Sequence, residues 1–206
     1  MLVDDHAVVR MGFCLLLRNT DDIDVVAEVG SGEDACRVYP ETKPDVVVMD
    51  ISMPGIGGMD ALARILAKDP RAKILVLSAH EDTIHPTRVL QAGGAGYLTK
   101  RGAPEELIGA IRQVAKGKTY LEPAVAQQIA VQRATGHLNP MDALTAKEFS
   151  VFLALARGRS VNEIAETMSL SPSTVGTHLY NVKQKLNASN AAELALIAMR
   201  NGLIEP

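Results

Sequence analysis

Nowhere does the 206-residue chain run through the roughly 18 uninterrupted apolar residues that a membrane-spanning helix requires. Its amino terminus also lacks a basic stretch followed by an apolar core. No membrane partner is expected, and a cytoplasmic setting follows. Cysteine is scarce: Cys14 and Cys36 each sit inside an amphipathic segment without the short spacing of a metal clip or redox pair, and both are expected to be reduced core residues. Internal repeats and low-complexity tracts are missing, which argues against repeat architectures. Extreme composition is missing too. With 47% hydrophobic and 22% charged residues the chain is neither disordered nor fibrous. The net charge of −3 hides an asymmetry: residues 1–115 carry 12 Lys/Arg against 17 Asp/Glu, and residues 116–206 carry 9 against 7. The acidic part and the mildly basic part are expected to meet different partners.

What is present falls into two patterns, and the length suits two modest domains. The first half alternates short β-rich runs (Leu2-Val3, 23–29, 46–49, 74–77, Tyr97-Leu98) with helical patterns over 6–18, 32–39, 57–69, about 86–92 and 104–116. Apolar runs such as Val46-Val47-Val48-Met49 and Ile74-Leu75-Val76-Leu77 suit strands buried on both faces. Five strands and five helices predict an α/β, flavodoxin-like, doubly wound five-stranded parallel domain over 1–116. A linker with a helix from Pro123 to Arg133 follows over 117–141, carrying Gly136, Asn139 and Pro140. Residues 142–206 predict a small all-α domain. Its helix starts are marked by capping boxes at Thr145 to Glu148, Ser160 to Glu163 and Asn190 to Glu193, and by Ser171-Pro172. The last helix is expected to stop at Gly202.

Open parallel sheets bind ligands beyond the carboxyl ends of their strands. Those ends carry Asp4-Asp5, Asp50, Ser78-Ala79 and Thr99-Lys100. Clustered carboxylates repel unless a cation sits among them, and oxygen-only ligands in a cleft suit Mg²⁺. Such a site can accept phosphoryl oxygens, with Lys100 neutralising further charge and Ser78 donating a hydrogen bond. Asp50 is then the natural nucleophile, giving an acyl phosphate. Each group alone reads as a solvated strand-end charge. Spacing alone also suits a Mg²⁺-dependent phosphatase with an aspartate nucleophile, although such an enzyme needs a water-activating acid/base and none stands out. His80 is placed to influence acyl-phosphate hydrolysis.

Leu2-Val3-Asp4-Asp5-His6, Val48-Met49-Asp50 through Pro54-Gly55, Leu77-Ser78-Ala79 and Gly96-Tyr97-Leu98-Thr99-Lys100 resemble the four signatures of a response-regulator receiver, in order, over residues 1 to about 115. The resemblance implies that Asp50 is phosphorylated by a sensor histidine kinase. It implies that Asp4, Asp5, Asp50 and the backbone carbonyl of Ser52 hold Mg²⁺, that Ser78 and Lys100 contact the phosphoryl group, and that Tyr97 swings inward as Ser78 moves. It implies no enzyme beyond self-phosphorylation from a phosphodonor and slow autodephosphorylation. Receivers usually begin several residues before the equivalent of Asp4, so the amino terminus is expected to be truncated or misassigned.

In the second half, 161–168 and 172–186 form two helices separated by about three residues, the spacing of a helix-turn-helix. Val175, Leu179, Val182 and Leu186 define a buried stripe, leaving Ser173, Gly176, Thr177, Tyr180, Lys183 and Gln184 to face a DNA major groove. From Met141 onward six Lys/Arg balance six Asp/Glu, so charge alone leaves a protein-interaction bundle open. Leu144-Thr145 through Glu148, Glu163-Ile164-Ala165, Ser171 with Thr174-Val175 and His178, and Lys185-Leu186 resemble the LuxR-type helix-turn-helix of NarL/FixJ regulators. By that resemblance Gly176, Thr177 and Tyr180 face bases of double-stranded DNA while His178 and Lys183 lie near phosphates. Asn162 and Gly176 stand where the family commonly has Lys, which implies fewer phosphate contacts per subunit and a stronger need for a homodimer when phosphorylated or DNA-bound. The final helix, with Ala191, Leu194, Ala195, Ile197 and Ala198, is the expected dimer surface.

Overall fold

The computed structural model describes residues 1–79, 84–102, 104–134, 140–201 and 203–204. Its contacts divide it into two compact units, Met1–Glu81 with Val89–Gln127, and Asp82–Arg88 with Gln128–Pro206.

The first unit alternates strands and helices: β1 (Leu2–Val3), α1 (Ala7–Arg18), β2 (Glu28–Val29), α2 (Gly32–Thr42), β3 (Val47–Asp50), α3 (Gly57–Lys68), β4 (Ile74–Ser78), the end of α4 (Ile84–Gln91), β5 (Gly96–Thr99), α5 (Pro104–Ala115) and β6 (Tyr120–Leu121). All pairings are parallel and the order is β2-β1-β3-β4-β5-β6. The strands β3 and β4 are buried at every position, as their continuous apolar runs require. One core cluster packs Val47, Met49, Ile74, Val76 and Tyr97 with Ala61, Leu62 and Ile65 of α3. The other packs Val48, Leu75, Leu77 and Leu98 with Leu17 of α1 and Leu107, Ala110 and Val114 of α5. The sheet is therefore covered on both faces. From β1 the chain steps outward to β2 and then returns past β1 to β3, so the order reverses beside β1 and β3.

Two differences from the sequence reading concern strands. The run 23–29 contributes only Glu28–Val29 to the ladder, because β1 offers Leu2 and Val3 alone as partners. Ile23 and Val25 still pack against the core. The sheet also has a sixth strand: β6 adds to β5 through Tyr120 N–H to Ala95 O (3.0 Å) and Glu122 N–H to Tyr97 O (3.2 Å).

The second unit contains part of α6 (Pro123–Ala134), a 3₁₀ turn (Pro140–Ala143), α7 (Ala146–Ala156), α8 (Val161–Met168), α9 (Pro172–Leu186) and α10 (Ala191–Arg200). The caps at Thr145 and Ser160 form complete boxes: each hydroxyl accepts from the N–H of the glutamate three residues on, whose carboxylate takes the cap N–H. Each such cap is worth about 1 kcal/mol. At α10 the Asn190 side chain accepts from Glu193 N–H, but the Glu193 carboxylate reaches one residue further back, to Ser189 N–H. The last helix ends at Arg200 with Asn201 as its cap; Gly202 lies outside the described residues, as do Gly136 and Asn139 of the linker. Phe149, Phe152, Val182, Leu186, Leu194 and Ala198 close the main core of this unit, and Val151, Ile164, Ala165 and Val175 form a second cluster.

Candidate functional site

At the switch point the carboxyl ends of β1, β3, β4 and β5 bring their polar residues together. Asp4, Asp50 and Ser78 are buried at 3%, 1% and 0% exposure. Charged groups at that depth need partners. The Lys100 ammonium supplies one, 2.6 Å from Asp50 Oδ2 and 2.7 Å from Asp4 Oδ2. Burial works against that ammonium, yet its hydrogen bonds with Asp4 and Asp50 outweigh the penalty and hold its pKa above the usual lysine range.

The backbone aims these groups. His6 N–H donates to Asp4 Oδ1 (2.8 Å) in a turn that fixes the carboxylate, and the Arg10 guanidinium donates to the Asp4 carbonyl (2.5 Å). Ser52 N–H donates to Asp50 Oδ1 (2.9 Å). Lys100 N–H donates to Ser78 O (2.7 Å), tying the ends of β4 and β5 together. Thr99 N–H donates to the Glu122 carboxylate (2.8 Å) just past β6. The Tyr97 ring is fully buried in the first core cluster.

One ligand atom from each of Asp4, Asp5, His6 and Asp50 lies within 4.8 Å of the others, a group able to hold a metal ion. Asp4 Oδ2 and Asp5 Oδ1 are buried and each keeps one close nitrogen neighbour, the Lys100 ammonium at 2.7 Å and His6 Nδ1 at 3.0 Å. Buried, clustered carboxylate oxygens fit a hard divalent cation. The structure thus unites Asp4, Asp5, Asp50, Ser78 and Lys100, with Ser52 beside them. Arg10 and Glu122 escaped the sequence reading. Arg10 falls one turn into α1 with no local sign of its target, and Glu122 matters only through β6. His80 lies outside the described residues.

In the second unit, α8 ends on Ser169 in the left-handed conformation (φ 54°), and Ser171 caps α9 by accepting from Thr174 N–H (3.1 Å). Val175, Val182 and Leu186 of α9 are buried, while Ser173, Thr177, Tyr180 and Gln184 are exposed and Gly176, His178 and Lys183 are half-buried. The Glu148 carboxylate on α7 accepts from Lys185 near the end of α9 (2.6 Å). The first part of α4 belongs to this unit: Ile84 is buried in its core, and the Arg88 guanidinium lies 4.0 Å over the Phe149 ring and donates to the Met141 and Leu144 carbonyls. On α10, Leu194 and Ala198 are 0% exposed inside the core. That corrects their assignment to a dimer surface: the exposed side of α10 carries Leu196 and Met199 instead.

Residues 1–112 match the family model of the response regulator receiver domain, and residues 142–198 match that of the bacterial regulatory proteins of the luxR family. The chain belongs to the NarL/FixJ-family response regulators. This response regulator is 40% identical over 207 residues to the response regulator GacA of Pseudomonas aeruginosa, covering 100% of this chain and 97% of the relative. It is 40% identical over 205 residues to the response regulator UvrY of Escherichia coli, covering 98% and 94%. Among solved structures it resembles RcsB from Salmonella enterica serovar Typhimurium bound to promoter rprA in the presence of phosphomimetic BeF₃⁻, with a TM-score of 0.75, 26% identity and 95% of each chain covered. As a two-component response regulator it joins a receiver to a LuxR-type DNA-binding domain, and phosphorylation controls its action on transcription. Response regulators take their signal from histidine kinases and are not enzymes in the ordinary sense. Among the described residues no helix is long and apolar enough to cross a membrane.

Proposed function

We propose that Asp50 is the phosphoacceptor and that its modification controls DNA binding through α9. The observation that carries this reading is the convergence of Asp4, Asp5, Asp50 and Lys100 at the sheet's switch point. An Asp50 carboxylate oxygen attacks the donor phosphorus, forming a P–O bond as the bond to the leaving histidine nitrogen, or to the acetate of a small donor, breaks. Lys100 stays paired with the anionic centre and Ser78 donates to a phosphoryl oxygen. Asp4, Asp5, Asp50 and the Ser52 carbonyl would hold Mg²⁺, which when bound supplies positive charge opposite the phosphoryl oxygens. Self-phosphorylation from a small donor and slow autodephosphorylation follow from the same geometry. Tyr97 is fully buried, which fits the inward position proposed for the switch residue once Ser78 moves toward the phosphoryl group.

The test is intact-protein mass spectrometry with acetyl phosphate and Mg²⁺: one base-labile phosphoryl group is expected on the wild type and none on Asp50→Asn. Undiminished labelling of the variant would place the nucleophile elsewhere.

Control acts through a homodimer on adjacent half-sites. The second half of the chain is nearly neutral, so a single copy offers DNA few cations, and pairing two copies multiplies their contacts. The added charge at Asp50 favours one of two domain arrangements and frees the DNA-binding unit. The exposed Leu196 and Met199 of α10 are the pairing surface. Ser173, Gly176, Thr177 and Tyr180 read bases, with His178 and Lys183 near phosphates.

A further inference from the structure

Gly176 sits in the middle of α9, with Ser173 three residues before it and Tyr180 four residues after it on the same face, and Thr177 directly following it. Nothing in the protein requires a glycine there. A Cβ built on it meets no atom within 4 Å, and its φ is not among the positive values that favour glycine. Gly12 in α1 and Gly109 in α5 are equally unconstrained, whereas at Gly58 and Gly96 a Cβ would collide with main-chain oxygen; what sets Gly176 apart is its place among the exposed residues of α9. In a helix interior glycine costs about 1 kcal/mol relative to alanine, so α9 is weaker than it needs to be.

Part of the border of the resulting notch is apolar. Thr177 spends its hydroxyl on the Ser173 carbonyl (3.1 Å), which leaves its methyl group as the outward-facing part. Tyr180, one turn on, is 65% exposed. A methyl-bordered notch on a groove-facing helix matches the one apolar group that the major groove presents, the C5-methyl of thymine.

We propose that Gly176 is a specificity-determining residue: the missing side chain lets a base edge approach the α9 main chain, seating a thymine methyl between Thr177 and Tyr180. This rests on α9 being the groove-reading helix. The seat trades helix stability for recognition, so filling it separates the two properties.

The experiment uses the full-length protein and duplexes enriched by in vitro selection from a random-sequence pool, each also made with deoxyuracil replacing thymine at enriched positions. Gly176→Ala is expected to raise the thermal unfolding midpoint, which excludes misfolding, while weakening binding to the selected duplex by about fivefold or more. Deoxyuracil at one position should weaken wild-type binding and have little further effect on Gly176→Ala. Gly176→Lys should bind all sequences better in low salt and lose the thymine preference. Unchanged affinity of Gly176→Ala, with the wild-type response to deoxyuracil, overturns the proposal. If Lys183→Ala and Tyr180→Ala weaken binding in that same experiment, α9 still reads DNA and only the seat is wrong. If they too bind as wild type, the groove assignment of α9 falls with it.

Discussion

The main-chain oxygen of Asp50 occupies the space that a side chain on Gly58 would need: a Cβ there would come within 2.1 Å of it and within 2.6 Å of the Ile51 Cα. The Gly58 N–H closes the same loop by donating to Ile51 O (3.3 Å). The first turn of α3 is thereby pressed directly against the backbone that presents the Asp50 carboxylate.

Gly58→Ala must push that backbone or α3 aside. Overpacking against main chain costs about 1–3 kcal/mol or more. The urea midpoint of the receiver should fall accordingly, and labelling by acetyl phosphate should slow because Asp50 moves relative to Lys100. A variant as stable and as readily labelled as the wild type would show that the loop yields freely.

Lys100→Met leaves Asp4 and Asp50 buried without their cation. Breaking such a pair costs about 3–5 kcal/mol when fully buried and somewhat less where water still reaches the lysine. Urea titration of the metal-free protein should show the loss. Saturating Mg²⁺ should recover more stability in the variant than in the wild type, since the dication then replaces an absent charge. Equal Mg²⁺ gains in both proteins would separate the ion pair from the metal site.

The Glu148–Lys185 contact predicts an acid-sensitive component in the second unit. Burial opposes the Glu148 carboxylate, but Lys185 and the N–H and hydroxyl of Thr145 prevail and hold its pKa below the ordinary 4.5. A depressed folded-state pKa stabilises above the unfolded value, and the gain disappears as pH falls through the folded one. Glu148→Gln should therefore be less stable than wild type near neutral pH, and the two urea midpoints should converge below 4.5. A constant gap across that range would contradict the assignment.

On α10 two leucines two residues apart should behave oppositely. Leu194→Ala empties a fully buried site and should destabilise the unit by about 2–5 kcal/mol. Leu196→Glu changes a side chain that is 46% exposed, so stability should hold while phosphorylated protein loses dimer mass in light scattering and affinity for a two-half-site duplex. Full dimerisation of Leu196→Glu would move the pairing surface elsewhere.

The sequence signals that worked were those with a local physical cause. Four-residue apolar runs such as 46–49 and 74–77 have few other uses than buried strands, and polar residues directly after them land at one sheet edge by topology alone. Thr145, Ser160 and Ser171 marked helix starts because capping is a contact across three residues. What failed depended on distant partners. The run 23–29 has strand character throughout but pairs only as far as β1 reaches, and Tyr120-Leu121 is too short to register until β5 is beside it. The periodicity of α10 showed an apolar stripe at Leu194 and Ala198, but not that α7 would cover it. The Gly58 contact and the Arg10 bond to Asp4 depend on loop paths, which no spacing rule encodes.

The strand β6 also bears on where the receiver can be cut. With β6 in place, the Ala95 and Tyr97 carbonyls are taken by Tyr120 and Glu122, and Thr99 N–H is taken by the Glu122 carboxylate. A fragment ending at Lys116 would strip all three and leave β5, with its buried Tyr97 and Leu98, as a bare sheet edge. Bare apolar edges recruit other chains. Such a fragment should precipitate or form ladders of paired copies on storage, whereas one ending at Gln127 carries its own edge guard and should stay dispersed.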